Sequence, residues 1–443
     1  MKTKFLLLVS LFFFSITYSQ KKWTLKEAVD HALKNNITIQ QNLLNVELAE
    51  LNVKTNKGNF LPNLNASTNG SLSAGSNFNP VTNNRTSSQT FFGGGLGVNS
   101  GIMVFNGYRN LNSYKQAQLG VERSKLSLEK IQNDISLFVV NGYLNVLFAK
   151  ENLEVARVQA RISKKQVEAA QERFDAGVIP KGDLLNAQST AATDQQNLIA
   201  NENTLTIALL NLSQLLQVPS EGFDVLEIEV GSPSAALLYE NSEMVFQKAL
   251  TTQPQIRNAE LGIKNADFNI EIAKGAFLPT LTASAFANTN YNYILRPAGI
   301  PSGRLFDQLE GNLGYGVGFS LNVPIFNRNQ TRINVDRQFI NREISRVALD
   351  NEKLQLQQTI EQAFVDSKAA AKTYEAARIS LEAQEEAFKN AQERYNLGAM
   401  TLFDFDLVRN RFVSAESALI RAKYDYVFKT KVLQFYYGEL SLD

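Results

Sequence analysis

The 443-residue chain has no cysteine. That excludes a disulfide framework, a thiolate metal site, a catalytic thiol and a lipid-modified N-terminal cysteine. Histidine is almost as scarce. The single one, His31, lies on an early amphipathic segment, where a structural or solvent-facing role is expected. Neither sign of charge is in excess: 44 basic residues face 43 acidic ones, a net +1 that becomes −1 without Lys2 and Lys4. Such a balance points to neither nucleic acid nor an anionic bilayer surface. Long apolar runs are missing too. After residue 19 no stretch approaches the roughly 20 residues of a spanning helix, so none is expected in the mature chain.

The N-terminus carries Lys2 and Lys4, then an apolar run from Phe5 to Phe14 broken only by Ser10, then Thr17-Tyr18-Ser19 ahead of Gln20. A basic start, a short apolar centre and small residues at the cleavage positions predict a secretory signal peptide over 1–19. An uncleaved anchor is the alternative, and the run is short for one.

The rest of the chain repeats itself. Gln171-Glu172-Arg173-Phe174-Asp175-Ala176-Gly177 precedes Asp183, and Gln392-Glu393-Arg394-Tyr395-Asn396-Leu397-Gly398 precedes Asp404, an offset of 221. Phe60-Leu61-Pro62 matches Phe277-Leu278-Pro279, and Ala32-Leu33 matches Ala249-Leu250, both at an offset of 217. Two copies of one architectural unit are expected, 20–217 and 239–443, separated by a linker over 218–238.

Each copy reads as helix, two strands, very long helix, turn, helix. Apolar residues at Leu25, Val29, Leu33, Leu43, Leu44, Leu48 and Leu51 predict a first helix over about 25–59, with Thr24 and Glu27 as a capping box and Leu61-Pro62 as its stop. Strands follow over 61–105 and again over 278–325. Leu64, Ala66, Thr68, Gly70, Leu72 and Ala74 alternate with Asn63, Asn65, Ser67, Asn69, Ser71 and Ser73. Phe92, Leu96, Val98, Ile102 and Val104 alternate with Gly93, Gly95, Gly97, Asn99 and Gly101. In the second copy Leu281, Ala283, Ala285, Ala287, Tyr291 and Tyr293 stand against Thr282, Ser284, Asn288, Asn290 and Asn292. Its partner strand sets Leu313, Tyr315, Val317, Phe319, Leu321 and Val323 against Asn312, Gly314, Gly316, Gly318, Ser320 and Asn322.

Period-two alternation means one apolar and one polar face. A soluble sandwich would alternate as well, but its wet face normally carries Lys, Glu and Asp, whereas here it carries Gly, Asn, Ser and Thr. Strands of this length match the roughly 9–11 residues that cross a bilayer with a tilt. Membrane β-barrel strands are expected, with Tyr291, Tyr293 and Phe91-Phe92 as interfacial aromatics. Four strands do not close a barrel, since the smallest have about eight. Open edges in lipid are prohibitively costly, so the barrel must be shared between copies of the chain. The loops Gly75–Thr90 and Leu295–Glu310 hold Pro80, Pro297 and Pro301, as exposed loops would.

Beyond each hairpin the chain runs without proline from about Tyr108 to Asp175 and from about Gln330 to Tyr395. As continuous helices these would each be on the order of 100 Å long. Alanine-rich stretches such as Ala369-Ala370-Ala371 suit close helix packing; a cytosolic-style coiled coil is the bland alternative. Turns are expected over 176–182 and 397–403, with Gly177 and Gly398 as left-handed C-caps and Asp183 and Asp404 near the start of the returning helices. In the linker, Phe223 to Val230 predicts one short strand, flanked by Pro219, Gly222, Gly231 and Pro233.

Catalytic motifs are absent. Phe92-Gly93-Gly94-Gly95-Leu96-Gly97 is glycine-rich, yet it lacks the Lys-Ser/Thr of a phosphate loop and continues as a strand. No acid, base and nucleophile converge, no metal-ligand spacing appears, and no cofactor is expected. Function must lie in shape.

Two tandem helix–hairpin–long helix–turn–helix units, each with an Arg-Phe/Tyr-x-x-Gly turn followed by Asp six residues after the glycine, resemble the TolC-type outer-membrane efflux proteins. The resemblance covers essentially the whole mature chain. It implies an α+β membrane protein: a homotrimer whose chains give four strands each to one 12-stranded β-barrel, continuous with a long α-helical barrel that crosses the periplasm and closes at the turns. It further implies that the turn residues Gly177, Val178, Ile179, Gly398, Ala399 and Met400 dock a periplasmic adaptor protein of an inner-membrane pump or secretion ATPase. Asp404 matches the gating aspartate, and Asp183 and Tyr395 match interhelix polar links. Met400 stands where an arginine is expected, and Leu407, beside Asp406, where a second inward aspartate is. The function expected is a passive exit duct in outer-membrane lipid, without enzymatic activity. An exported coiled-coil structural or adhesion protein and a substrate-specific porin are the alternatives.

Overall fold

The computed structural model describes residues 22–76, 78–79, 81, 83–85, 89–227, 239–295 and 303–439. The expected signal peptide, loop residues Pro80, Pro297 and Pro301, and the linker stretch 228–238 with Gly231 and Pro233 lie outside the described residues.

The first half runs β1 (Lys22–Trp23), α1 (Leu25–Asn35), α2 (Ile37–Gly58), β2 (Asn63–Gly75), the short β3 (Phe78–Asn79) and β4 (Asn84–Arg85), β5 (Gln89–Phe105), α3 (Arg109–Asp175) and α4 (Lys181–Leu216). After β6 (Asp224–Val225) come α5 (Ser242–Thr252), α6 (Pro254–Lys274), β7 (Thr280–Ile294), α7 (Leu305–Gly311), β8 (Gly314–Asn322), α8 (Gln330–Asn396) and α9 (Leu402–Tyr437). Both α3 and α8 are 67 residues long, and both α4 and α9 are 36.

The single helix expected over 25–59 is two helices. Asn36 leaves the helical region at ψ 128°, its N–H still bonded to Ala32 O, while its side chain accepts from Thr38 N at 2.9 Å and restarts the chain as α2. The equivalent break in the second half falls at Gln253, where Pro254 opens α6 at its first position, whose N–H would have no intrahelical partner. The capping box at Thr24 is present in both directions, at 3.1 Å each way.

The chain divides into two compact units, one of residues 1–44, 126–257 and 350–443, the other of 45–125 and 258–349. In the first, α1, the middle of α3, the end of α4 and β6 enclose a core of Val29, Val139, Val140, Val146, Leu212, Leu216 and Val225. The linker strand is found here: β6 pairs in parallel with β1, Trp23 opposite Val225. Tyr143 Oη donates toward Leu226 O at 2.6 Å, and burial pushes this phenol up to about 12. His31 packs its ring edge-on to Trp23 at 5.0 Å.

The second unit holds one antiparallel four-stranded sheet in the order β2-β5-β7-β8. The two hairpins are therefore joined, β5 to β7, over a ladder that sets Phe92 opposite Tyr293 and Val98 opposite Ala287. Ala66, Val98, Ala287 and Tyr315 lie in one row across the sheet, and Ser67, Gly97, Asn288 and Gly314 in the next. Register thus collects the apolar sets of all four strands on one face and the Gly/Asn/Ser sets on the other. None of the four strands contains a charged residue. The glycine run of β5 is strand backbone: a Cβ on Gly94 would stand 2.2 Å from Asn69 O. The alternation fails at Val104, which the register skips between Met103 and Phe105 as a bulge.

β7 outruns β8 at one end, and α7 covers the overhang. Gln308 Oε1 accepts from Asn292 N at 2.8 Å and Asn312 Nδ2 donates to Asn290 O at 2.8 Å, so side chains complete the ladder. At the other end Gly107, with φ +68°, crosses Gly275 so closely that a Cβ on Gly107 would lie 2.1 Å from Gly275 O. Below this crossing Gln116 Nε2 donates to Asn269 Oδ1 at 2.7 Å, tying α3 to α6.

Candidate functional site

Both long helices stop by the same device. Gly177 (φ +73°) sends its N–H to Phe174 O and Val178 sends its N–H to Arg173 O, each at 2.8 Å. Gly398 (φ +72°) and Ala399 do the same to Tyr395 O at 3.0 Å and Arg394 O at 2.8 Å. These are the paired bonds of a Schellman stop, and both need the left-handed residue that glycine supplies without strain.

The return helices begin differently. Pro180 heads α4 with no side-chain cap, whereas Thr401 heads α9. Thr401 Oγ1 accepts from Asp404 N at 3.2 Å and donates to Asp404 Oδ2 at 2.7 Å. Asp183 and Asp404 both stand in the first turn of their helices, where the free N–H groups favour a carboxylate.

Beneath the turns Ala170, Leu184, Ala187, Ala391, Leu402 and Phe405 form a small core that joins α3, α4, α8 and α9. Ile179, Met400 and Tyr395 pack against it, so two of the six expected docking residues have their side chains turned inward. Gly177, Val178, Gly398 and Ala399 are exposed, with Val178 at 71%. Two apolar side chains outside the six expected docking residues stand out beside them, Leu397 at 83% and Phe403 at 74%.

Tyr395 stacks on Phe405 at 4.9 Å and lies under the Arg173 guanidinium at 5.6 Å. Burial pushes its phenol up, Arg173 pulls it down, and the carboxylates of Asp406 and Asp183 add to the rise. The three expected gate residues thus converge only loosely. Among the described residues no hydrogen bond ties Tyr395, Asp183 and Asp404 to one another.

A tighter polar cluster lies one to two turns further along α9. Arg409 is 1% exposed and reaches Asp194 of α4 at 3.2 Å, Asp406 at 3.7 Å and Gln166 Oε1 of α3 at 3.3 Å. Thr190 Oγ1 donates to Asp406 Oδ2 at 3.3 Å. Burial pushes the Asp406 carboxyl up, Arg409 and Thr190 pull it down, and Asp194 adds to the rise. A buried cation between two carboxylates from different helices is costly to part, because each charge left behind has no water. The spacing of Asp406 and Arg409 was a visible signal, three residues apart on one helix. Asp194, more than 200 residues away, gave none.

Comparison with known proteins gives one consistent result. The family model described as outer membrane efflux protein matches residues 28–217 and 245–439. The outer membrane efflux protein BepC of Brucella suis is 24% identical over 421 residues, covering 95% of this chain and 86% of that protein. The outer membrane protein TolC of Vibrio cholerae is 24% identical over 322 residues, 70% of this chain and 69% of that protein. Among solved structures, the Campylobacter jejuni CmeC outer membrane channel superposes with a TM-score of 0.77 at 20% identity, covering 94% of this chain and 85% of that one.

Proposed function

The chain belongs to the outer membrane efflux protein family, a family of outer-membrane channels serving efflux and secretion, and we propose that three copies form one passive duct across periplasm and outer membrane. The observation that carries this reading is the charge-free sheet with two free edges. Among the described residues β2 and β8 each pair on one side only. In lipid both edges need partners, and pairing β8 of one chain with β2 of the next closes twelve strands from three chains. The apolar face then meets lipid and the Gly/Asn/Ser face lines the lumen.

The helices close by the same rule. Within one chain α3 meets α6 through Gln116 and Asn269. Shifting Gln116 by the 221-residue offset gives Arg337 on α8, and shifting Asn269 back by 217 gives Asn52 on α2. Near those positions α8 exposes Ile333, Ile340, Ile344 and Val347, and α2 exposes Leu44, Leu48 and Leu51. These stripes meet in the ring, α8 of one chain on α2 of the next.

At the turn end, Gly177, Val178, Gly398 and Ala399 form the docking face for a periplasmic adaptor of an inner-membrane pump, joined by Leu397 and Phe403. Ile179 and Met400 support that face from beneath. Asp404 faces the constriction, Asp183 and Tyr395 border it, and Arg409 with Asp194 and Asp406 locks α9 to α4 in the closed state. Opening splays these helices apart, a two-state change biased by the adaptor. The duct catalyses nothing.

The cysteine-free chain allows a clean test. With Asn52→Cys and Arg337→Cys together, a short bis-maleimide should produce a covalent ladder ending at three chains, and the crosslinked protein should conduct ions in planar bilayers. A ladder that stops at two or runs past three, or a trimer with no conductance, would sink the reading.

A further inference from the structure

One residue breaks the alternation of β7. Phe286 stands on the polar face, between Ser284 and Asn288 along the strand and between Asn99 of β5 and Gly316 of β8 across it. Every other row of that face near it is glycine, serine or asparagine: Ser67, Gly97, Asn288 and Gly314 on one side, Asn63, Gly101, Ser284 and Gly318 on the other.

The site is shaped for the ring. A Cβ on Gly316 would lie 2.9 Å from Phe286 Cζ and 3.1 Å from Cε1. The ring therefore lies down over the glycine, and only a residue without a side chain allows it. Laid flat, Phe286 keeps 46% of its surface exposed. Its neighbours on the face are amides and a hydroxyl, which can both donate and accept hydrogen bonds. No charge is available on any of the four strands.

We propose that Phe286 is a contact platform for cargo in transit, on which uncharged aromatic molecules bearing hydroxyl or amide groups stack while Asn99 and Asn288 hydrogen-bond to them. The proposal rests on reading the polar face as the lumen. In a barrel of three chains it places three such platforms at one level. An anionic or cationic cargo gains nothing there, because no opposite charge is present to offset its lost hydration. A flat aromatic cargo gains stacking on the open ring face.

The test is saturation-transfer NMR titration of 4-nitrophenyl glucoside against the purified trimer in detergent, with maltotriose as the non-aromatic control. The expected result is weak binding of the nitrophenyl probe that Phe286→Leu weakens about two- to tenfold, the range for one aromatic contact. Leu keeps an apolar cover on Gly316, so the barrel is expected to persist. Phe286→Trp should hold or tighten binding, and Gly316→Ala, which lifts the ring, should weaken it with Phe286 still present. Maltotriose should respond to none of the three. An unchanged dissociation constant in Phe286→Leu, or an equal change for maltotriose, overturns the platform. Conductance of each variant in bilayers is measured alongside. A wild-type protein that binds the probe yet never conducts would instead overturn the lumen reading on which the platform depends.

Discussion

The two halves of the chain share one backbone plan and differ in where each finds its partners. Phe105-Asn106 before α3 matches Phe326-Asn327 before α8 at the 221-residue offset. In both, the asparagine side chain bonds to the residue four further on, Asn110 or Thr331. Both then pass through two left-handed residues, Gly107 and Tyr108 in one half, Arg328 and Asn329 in the other. Yet Gly107 is pressed against Gly275, whereas a Cβ on Gly58, the counterpart of Gly275, would meet nothing within 4 Å among the described residues. A contact filled in the first half and open in the second fits the proposed ring of identical chains, in which the next copy would complete the open one. The turns diverge in the same manner. Thr401 caps α9 where Pro180 leaves α4 uncapped, and Arg409, buried between two carboxylates, has only the exposed Gln188 as its counterpart.

The largest way to break this asymmetry is Arg409→Ala. It leaves Asp194 and Asp406 buried without their cation and should cost about 3–5 kcal/mol, while Gln188→Ala should stay within about 0.5 kcal/mol. Denaturant melts of the trimer measure both, and bilayer recordings should show more frequent opening for Arg409→Ala alone.

Next comes the glycine crossing. Gly275→Val drives a Cβ to 2.4 Å from Gly107 O and should cost about 3 kcal/mol in any assembly state. Gly58→Val sharpens the comparison, because a lone chain has room for it. Loss of the three-chain crosslinked ladder with Gly58→Val would locate Gly58 at the proposed seam; an unaffected ladder would remove it from there.

A smaller effect follows from making the second turn resemble the first. Thr401→Ala removes the cap and should cost about 1 kcal/mol. Faster amide exchange confined to the first turn of α9 is the expected signature.

The smallest effect is a pH slope. The Asp406 carboxyl is raised by burial, so it binds its proton more tightly folded than unfolded. Its contribution is full below the ordinary carboxylate range and is lost as pH rises through the raised value. Melting temperature should therefore decline over that window, and Asp406→Asn should flatten the decline.

Much of the fold was visible in the residues themselves. Strand periodicity named both faces of the sheet, and the glycine-stopped helices fell within a residue or two of their ends, because these features depend on local sequence. The break at Asn36 escaped notice: the apolar spacing continues through it, and only the side-chain bond to Thr38 marks the restart. The β5–β7 junction is a pairing between residues almost 200 positions apart, for which no local signal exists. Near the turns, the resemblance led to Asp183, Tyr395 and Asp404 as the expected gate, whereas the polar cluster found there surrounds Arg409. That cluster is not duplicated, so a search by repeats passes over it.

The uncharged sheet also sets the order in which the molecule is made. Its free edges carry neither the lysines nor the prolines that usually keep exposed strands from pairing with strangers. Its central ladder must also wait for both halves of the chain, a loop closure far slower than helix formation. The helices are therefore expected to form first, leaving the strand edges of the proposed trimer to be paired last. A chain caught before that moment is at its most vulnerable, and substitutions that delay assembly should appear as lost protein before they appear as lost transport.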